Sequence, residues 1–455
     1  MRTLNWLWAG CFFTGSFDLL LLFDFGGSLR ISQIFLAILC IAAAARVIQD
    51  GRILWPRGGT ALALWLLSQF LFLPLSGILF LGTVVLALLT FTIVGFFAII
   101  QLYGKSASLE WMMRIYLLSY IFVGLFGLLQ FATPLLGLPG ILVQQWLLHG
   151  KFARINGFSF EPSYYATYMM MGWIMLLELR ISKARITNGR LWRWATVAVT
   201  ATLLLSSSRS AWLVMLVEVV ARLLPAFWGG VRHTFQRFVH GRLVVRIPTF
   251  RLLLNSLILL FLSGVGFYYF AQRVDPIRLL AGTGLANQAA HSYNDRANAA
   301  ADTFDMFLEH PFIGRSLGGV PINRAMRHNV VVLSMAEVRL YWGFPVELEV
   351  LVASGLIAFI PFVMFFYTYT FGAMKLAKRY WPSEQAKWVN ALARAMIFEW
   401  LVLLTDQNLM RVYFWFHVTM VALVTYNLEF GVDAEVVAAS PALPAAPPLE
   451  ALPTT

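Results

Sequence analysis

Charge is what this 455-residue sequence has least of. Asp, Glu, Lys and Arg make up 12% of it, against about 25% in an ordinary soluble domain. With 60% hydrophobic residues, a solvated globular chain is excluded. Apolar runs of about 18 residues or more recur, each long enough to cross roughly 30 Å of hydrocarbon. Cysteine is almost missing: Cys11 and Cys40 are the two, both inside apolar runs. That leaves no cysteine-based metal site, and their spacing argues against a disulfide. No small-residue cleavage site follows the first apolar run, which is therefore expected to stay as a span. No Gly-rich strand–helix element or soluble domain exists, which disfavours a nucleotide-sugar transferase. Acids are outnumbered, 22 against 34 bases, for a net charge of +12. The excess reads as basic residues of cytoplasmic loops setting topology, rather than as a nucleic-acid surface.

What is present is an all-α polytopic membrane protein. About twelve spans are expected, near 5–23, 31–48, 59–76, 79–102, 115–135, 163–180, 193–207, 210–228, 252–271, 344–369, 388–405 and 409–427. Spans one to nine occupy 1–271, a large structured periplasmic loop 272–343, spans ten to twelve 344–430, and an Ala/Pro-rich tail 431–455 that is expected to be disordered. Most Lys and Arg fall in alternate loops that face the cytoplasm if both termini are inside. The short external loops hold only Arg30, Lys151, Arg154, Arg209 and Arg411. The basic and apolar stretch 229–251 is expected on the anionic cytoplasmic surface.

The external groups that resist this bias are the informative ones. Arg154 lies in "ARINGFSFEPSYYATYM", with Asn156, Glu161, Ser163 and Tyr164. Pro162 suits a first helical turn, and Glu161 or Ser163 can cap it. Yet the stretch has more polar groups than a cap needs, and Gly157 lets the backbone bend between them. Arg209 sits in "SSSRS", where hydroxyls can share a water-accessible pocket with it. Its guanidinium is either a snorkelling interfacial group or an anion clamp, since its donor fork matches phosphate oxygens. In the long loop, apolar residues at helical spacing predict an amphipathic helix over 295–309, capped by Asp295 and ended by "HPFIG". Arg296, His310 and Arg315 flank it, with Arg324, Arg327, His328, Glu337 and Arg339 following.

Three stretches resemble one family. "RINGFSFEPSYYA" is similar to the R-x-x-G-x-x-x-E-P-S-x-x-A element of the bacterial O-antigen polymerase and O-antigen ligase superfamily. "DRANAAADTFDMFLEHPFIGRSLGG" resembles that family's D/E-R…H-P-[LF]-x-G-x-G-x-G element. "VELEVLVASGLIAFI" resembles its L-E-x-L-x-x-x-G-[IL]-[IL]-G element, with Ala358 where glycine is usual and, in the loop element, Arg315 replacing a small residue. The resemblance implies a C-type glycosyltransferase of the bacterial inner membrane, metal-independent, without cofactor and inverting, with its active face periplasmic. The implied donor is an undecaprenyl-diphosphate-linked glycan. The acceptor is a second lipid-linked glycan, for an O-antigen or exopolysaccharide polymerase, or lipid A-core, for a ligase. Membrane lipids and a chain-length regulator are further candidate partners; nucleic acid is not one. Polymerase is favoured, because His328, the nearest match to the ligase histidine, lies farther before Gly355 than ligases place theirs.

Such a transfer asks mainly for stabilisation of a departing diphosphate. Arg154 and Arg209 are the first candidates for that clamp, with Arg296 or Arg315 as a third. Glu161 is the first candidate base, then His328 and His310. Asn156, Ser163 and Tyr164 are candidate pocket residues. A membrane transporter of a lipid-linked or anionic substrate is the rival class. Asp18, Glu218 and Glu399 could serve it, but no internal repeat or matched pair of broken helices is evident. Glu347 and Glu349 could line the site or be structural, and His149 and His417 read as structural.

Overall fold

The computed structural model describes residues 2–20, 22–24, 28–106, 108–239, 289–338, 341–405 and 409–431. The expected ninth span, Arg339 and the Ala/Pro-rich tail lie outside the described residues. The chain is mostly helical. In order come α1 (Arg2–Phe13), a hairpin of β1 (Leu22–Asp24) and β2 (Ser28–Arg30), α2 (Ile31–Asp50), α3 (Gly59–Leu71), α4 (Leu79–Tyr103) and α5 (Leu109–Leu135). A second hairpin, β3 (Trp146–Leu148) with β4 (Phe152–Ala153), leads into α6 (Pro162–Ile181), α7 (Arg190–Leu205) and α8 (Arg209–Val239). The loop region holds α9 (Ala289–Glu309), α10 (Gly319–Arg327) and α11 (Met335–Val338). Then follow α12 (Val346–Tyr367), α13 (Ala373–Arg379), α14 (Glu384–Leu403) and α15 (Val412–Phe430).

Among the described residues four helical stretches are long and apolar enough to cross a membrane: α2, α4, α5 and the continuous run Val346–Arg379. The expected first span is not one long helix. α1 has 12 residues, about 18 Å at 1.5 Å per residue. It stops because the chain turns at Thr14–Ser16 and is anchored beyond: Asp18 is tied to Arg30 (2.8 Å) and Arg411 (2.9 Å), and its amide donates to the Phe158 carbonyl. The third expected span likewise ends early, after the 13 residues of α3. α6 and α15 sit at the centre, since α15 is buried along nearly its whole length and α6 along most of it, as helices apolar all round must be.

Two polar devices hold the bundle. Glu178 on α6 and Glu218 on α8, both buried, share Arg222 and Arg394. Arg394 Nε lies 3.0 Å from Glu178 and its Nη2 3.0 Å from Glu218; Arg222 Nη2 lies 2.6 Å from Glu178 and also pairs with Glu218. Two negative and two positive charges thus close on each other between α6, α8 and α14. The second device is a buried chain. Tyr120 donates to Tyr116, and Tyr116 meets His417 Nδ1 at 3.0 Å. His417 Nε2 is 3.0 Å from the Leu392 carbonyl. A carbonyl only accepts, so Nε2 carries the proton and Nδ1 accepts from Tyr116.

α12 is interrupted at Gly355, whose backbone is left-handed (φ +60°). The interruption frees groups that a helix would pair, and segment 311–316 takes them. The amides of Arg315 and Ser316 donate to the carbonyls of Val352 and Ala353, and the Leu356 amide donates to the Pro311 carbonyl. Within hydrocarbon, irregular backbone persists only where protein satisfies it in this way. Trp65 and Gln69 of α3 donate to Ser354 Oγ, and Gln69 Oε1 accepts from the Leu317 amide. Glycine is required on both sides of the seam. A Cβ on Gly314 would stand 1.9 Å from the Ala353 oxygen, and one on Gly355 2.4 Å from the Phe312 oxygen. Gly314 and Gly355 therefore let two backbones touch, while Gly318 and Gly319 approach the backbone of Gly82 and Ser76.

Candidate functional site

The stretch 153–161 folds back over the start of α6. Gln130 on α5 accepts from the amides of Asn156 (2.9 Å) and Gly157 (3.0 Å). Gly157 has φ +55°, and a Cβ there would press on the Tyr165 ring at 2.7 Å, so a left-handed, side-chain-free residue is needed. Asn156 is fully buried. Its amide donates to the Leu142 and Ser159 carbonyls and its oxygen accepts from Gln144 N. Named from the sequence as a pocket residue, it spends its side chain stapling this loop. Pro162 takes the first helical position, as expected. Glu161 precedes it without a side-chain cap, and its carboxylate accepts from the Ser163 hydroxyl at 3.2 Å.

Arg154 emerges from the hairpin half-buried, its amide bound to the Gln145 carbonyl. Its guanidinium donates to Gln145 Oε1 (2.7 Å) and to the Ser207 carbonyl (3.1 Å). Both acceptors are neutral, and Nε is buried without an acceptor. Burial lowers its pKa, the nearby charge of Arg209 lowers it further, and Glu161 opposes both. Arg154 thus feels the charges of Arg209, the first residue of α8, and of Glu161, at the start of α6; its Ser207 contact ties the α5–α6 connection to the turn before α8. Of the serines before Arg209, Ser206 to Ser208 are buried, and Ser206 Oγ donates to the Leu203 carbonyl. Ser207, left-handed at φ +52°, turns its carbonyl to Arg154.

Beside this trio, Tyr164 carries the Arg411 guanidinium 3.8 Å from its ring centroid. Arg411 and Arg30 share one carboxylate, Asp18, so this second cluster sets two cations against one acid. Sequence reading counted Arg411 only as a topology residue. The signal available was its position on the side where bases are scarce.

The loop candidates form a separate network. Arg315 donates to Asn323 (2.8 Å) and Glu309 (2.9 Å), and Arg327 shares Glu309. His328 Nε2 lies 2.8 Å from Asp302 Oδ2, which Arg324 also reaches. Burial raises the Asp302 pKa, but hydrogen bonds from His328 and Arg324 outweigh it and hold the carboxyl below its ordinary range. Arg296 is exposed, 5.9 Å from the Phe344 ring centroid, and His310 is exposed at the end of α9. Asp295 does not cap this helix, because α9 begins six residues earlier at Ala289. Among the described residues no group of three His, Cys, Asp or Glu is placed to hold a metal ion. No known family model and no curated protein matches the chain.

Proposed function

We propose that the chain is a membrane glycosyltransferase that moves a glycan from undecaprenyl diphosphate to a sugar hydroxyl at the periplasmic face, as an O-antigen or exopolysaccharide polymerase. One observation carries it: the half-buried Arg154 guanidinium hydrogen-bonds only to neutral acceptors, Gln145 Oε1 and the Ser207 carbonyl, with its Nε left without one, and the charge of Arg209 opposes its own. Like charges are brought together at a cost that a bound anion removes. A diphosphate, with oxygens on both phosphorus atoms, fits two donor forks.

The proposed step is a single displacement. The acceptor oxygen forms a bond to the anomeric carbon while the bond to the diphosphate oxygen breaks. The electron pair of that bond leaves on the diphosphate, where Arg154 and Arg209 meet the growing charge. The acceptor proton passes to Glu161, exposed beside them. Attack opposite the leaving group inverts the anomeric centre. Twelve spans with both termini in the cytoplasm would place the trio at the outer leaflet of the inner membrane, with the polyprenyl tail in lipid.

The ligase reading has one observation of its own. His328 with Asp302 forms a histidine–carboxylate pair suited to proton abstraction. Reconstitution with a lipid-linked repeat unit, with and without lipid A-core, separates the two on a gel. A ladder without the core supports polymerisation; product only with the core supports ligation. Loss of one guanidinium from a developing anion costs about 10²–10³ in kcat, so Arg154→Ala and Arg209→Ala should each remove detectable polymer. Wild-type chain lengths from either would overturn the clamp.

A further inference from the structure

The opposite end of α6 holds a second cationic site, outside everything proposed above. A cavity of about 400 Å³ lies between the end of α6 and the start of α7, lined by Arg180, Lys183 and Arg193 with Thr187, Asn188 and Gly189. No acid is among its lining residues. Glu384, which reaches the Arg185 amide in the α6–α7 connection, is also taken up by Lys387. Gly189 begins α7 without a side-chain cap, so the first-turn amides add their positive end to the same space.

One of these cations, Lys183, sits at an unusual backbone position. α6 closes by donation from the Lys183 amide to the Arg180 carbonyl and from the Ala184 amide to the Leu179 carbonyl. That motif puts Lys183 in the left-handed position, φ +52°, where glycine is the unstrained residue. A lysine is kept at the cavity rim despite that strain. Directly beside the cavity, α7 turns an apolar stripe outward at helical spacing: Leu191 is 74% and Trp194 71% exposed, with Val197 and Leu204 below them. Tryptophan at the start of such a stripe marks the depth where headgroups meet acyl chains.

We infer that this cavity binds the phosphate of an anionic membrane phospholipid, with its acyl chains laid along the Leu191–Leu204 stripe of α7. The phosphate chemistry alone would suit free phosphate too; the apolar stripe at its mouth favours the lipid. The site stands whether or not the other end of the bundle transfers sugars.

The test uses the full chain in detergent, titrated separately with phosphatidylglycerol, phosphatidylcholine and inorganic phosphate. Native mass spectrometry reads retained lipid and the thermal midpoint reads protection. Phosphatidylglycerol should bind the wild type, with at least a ten-fold loss of affinity in Lys183→Gln/Arg193→Gln. Lys183→Gly guards against a folding artefact, since it removes one cation while relieving the backbone; it should also bind more weakly. Equal phosphatidylglycerol affinity in wild type and variants overturns the site. Protection by inorganic phosphate as strong as by phosphatidylglycerol overturns the lipid assignment.

Discussion

Arg394→Gln should be a severe single change in the bundle. Arg394 faces two buried carboxylates at 3.0 Å each, Glu178 and Glu218. Without it, one arginine is left to serve both acids. Removing one member of a buried ionic group costs about 3–5 kcal/mol, because the partner's charge stays desolvated. The upper half of that range applies, since Glu218 is fully buried and Glu178 nearly so. Restoring neutrality should rescue it. In Arg394→Gln/Glu178→Gln the remaining Arg222 and Glu218 still form a pair, and the double variant should regain more than half of the loss. Reversible unfolding in mixed micelles, read from tryptophan fluorescence, measures both. The loss should also be insensitive to salt, because buried pairs are poorly screened. A single variant that costs under about 1 kcal/mol, as an exposed pair does, would refute the reasoning; so would a double variant worse than the single.

Gly355→Ala should break the seam with segment 311–316, because its Cβ has backbone 2.4 Å away. Gly51→Ala, equally left-handed but with nothing within 4 Å, should cost only about 1–2 kcal/mol; limited proteolysis of the 289–338 region distinguishes them. Gln130→Ala orphans the amides of Asn156 and Gly157 and should cost about 1–3 kcal/mol for each, read from the thermal midpoint. The Asp302 carboxyl is held below its ordinary 3.8 in the fold. Its stabilising contacts are therefore complete above about pH 4 and are lost as pH falls below that value. Relative to the intrinsic amide rate at each pH, protection of α10 should be lower in acid, once Asp302 is protonated, than at pH 7 in the wild type, and Asp302→Asn should show the lower protection at both. Glu161→Gln should reduce transfer while leaving the thermal midpoint unchanged, since that carboxylate is exposed.

The long apolar helices were legible because hydropathy and 3.6-residue spacing are local: α2, α4, α5 and α6 end within a few residues of where composition put them, and only the start of α5 lies farther out. The end of α1 was not, because the anchor that bends the chain joins Asp18 to Arg411, 393 positions away. The polar cluster before α6 was visible as a cluster. Which of its members are spent on holding the loop was not, since Gln130 is committed to the backbone of Asn156 and Gly157, and Asn156 to the carbonyls of Leu142 and Ser159, by a loop closure that no single-residue property reports. Arg315 looked as free as Arg154; the difference is Glu309 and Asn323, supplied by the helices on either side. The glycines of the loop motif carried a readable signal. Four glycines at 314, 318, 319 and 355 mark backbones in contact rather than turns.

That contact sets an order of events in biogenesis. A ribosome releases 311–316 before α12, so the segment that pairs with the interrupted helix is already made when that helix emerges. A chain severed between 328 and 341 would still carry complementary halves of the seam, one on each fragment. Co-expressed, the two pieces should recognise each other across the cut.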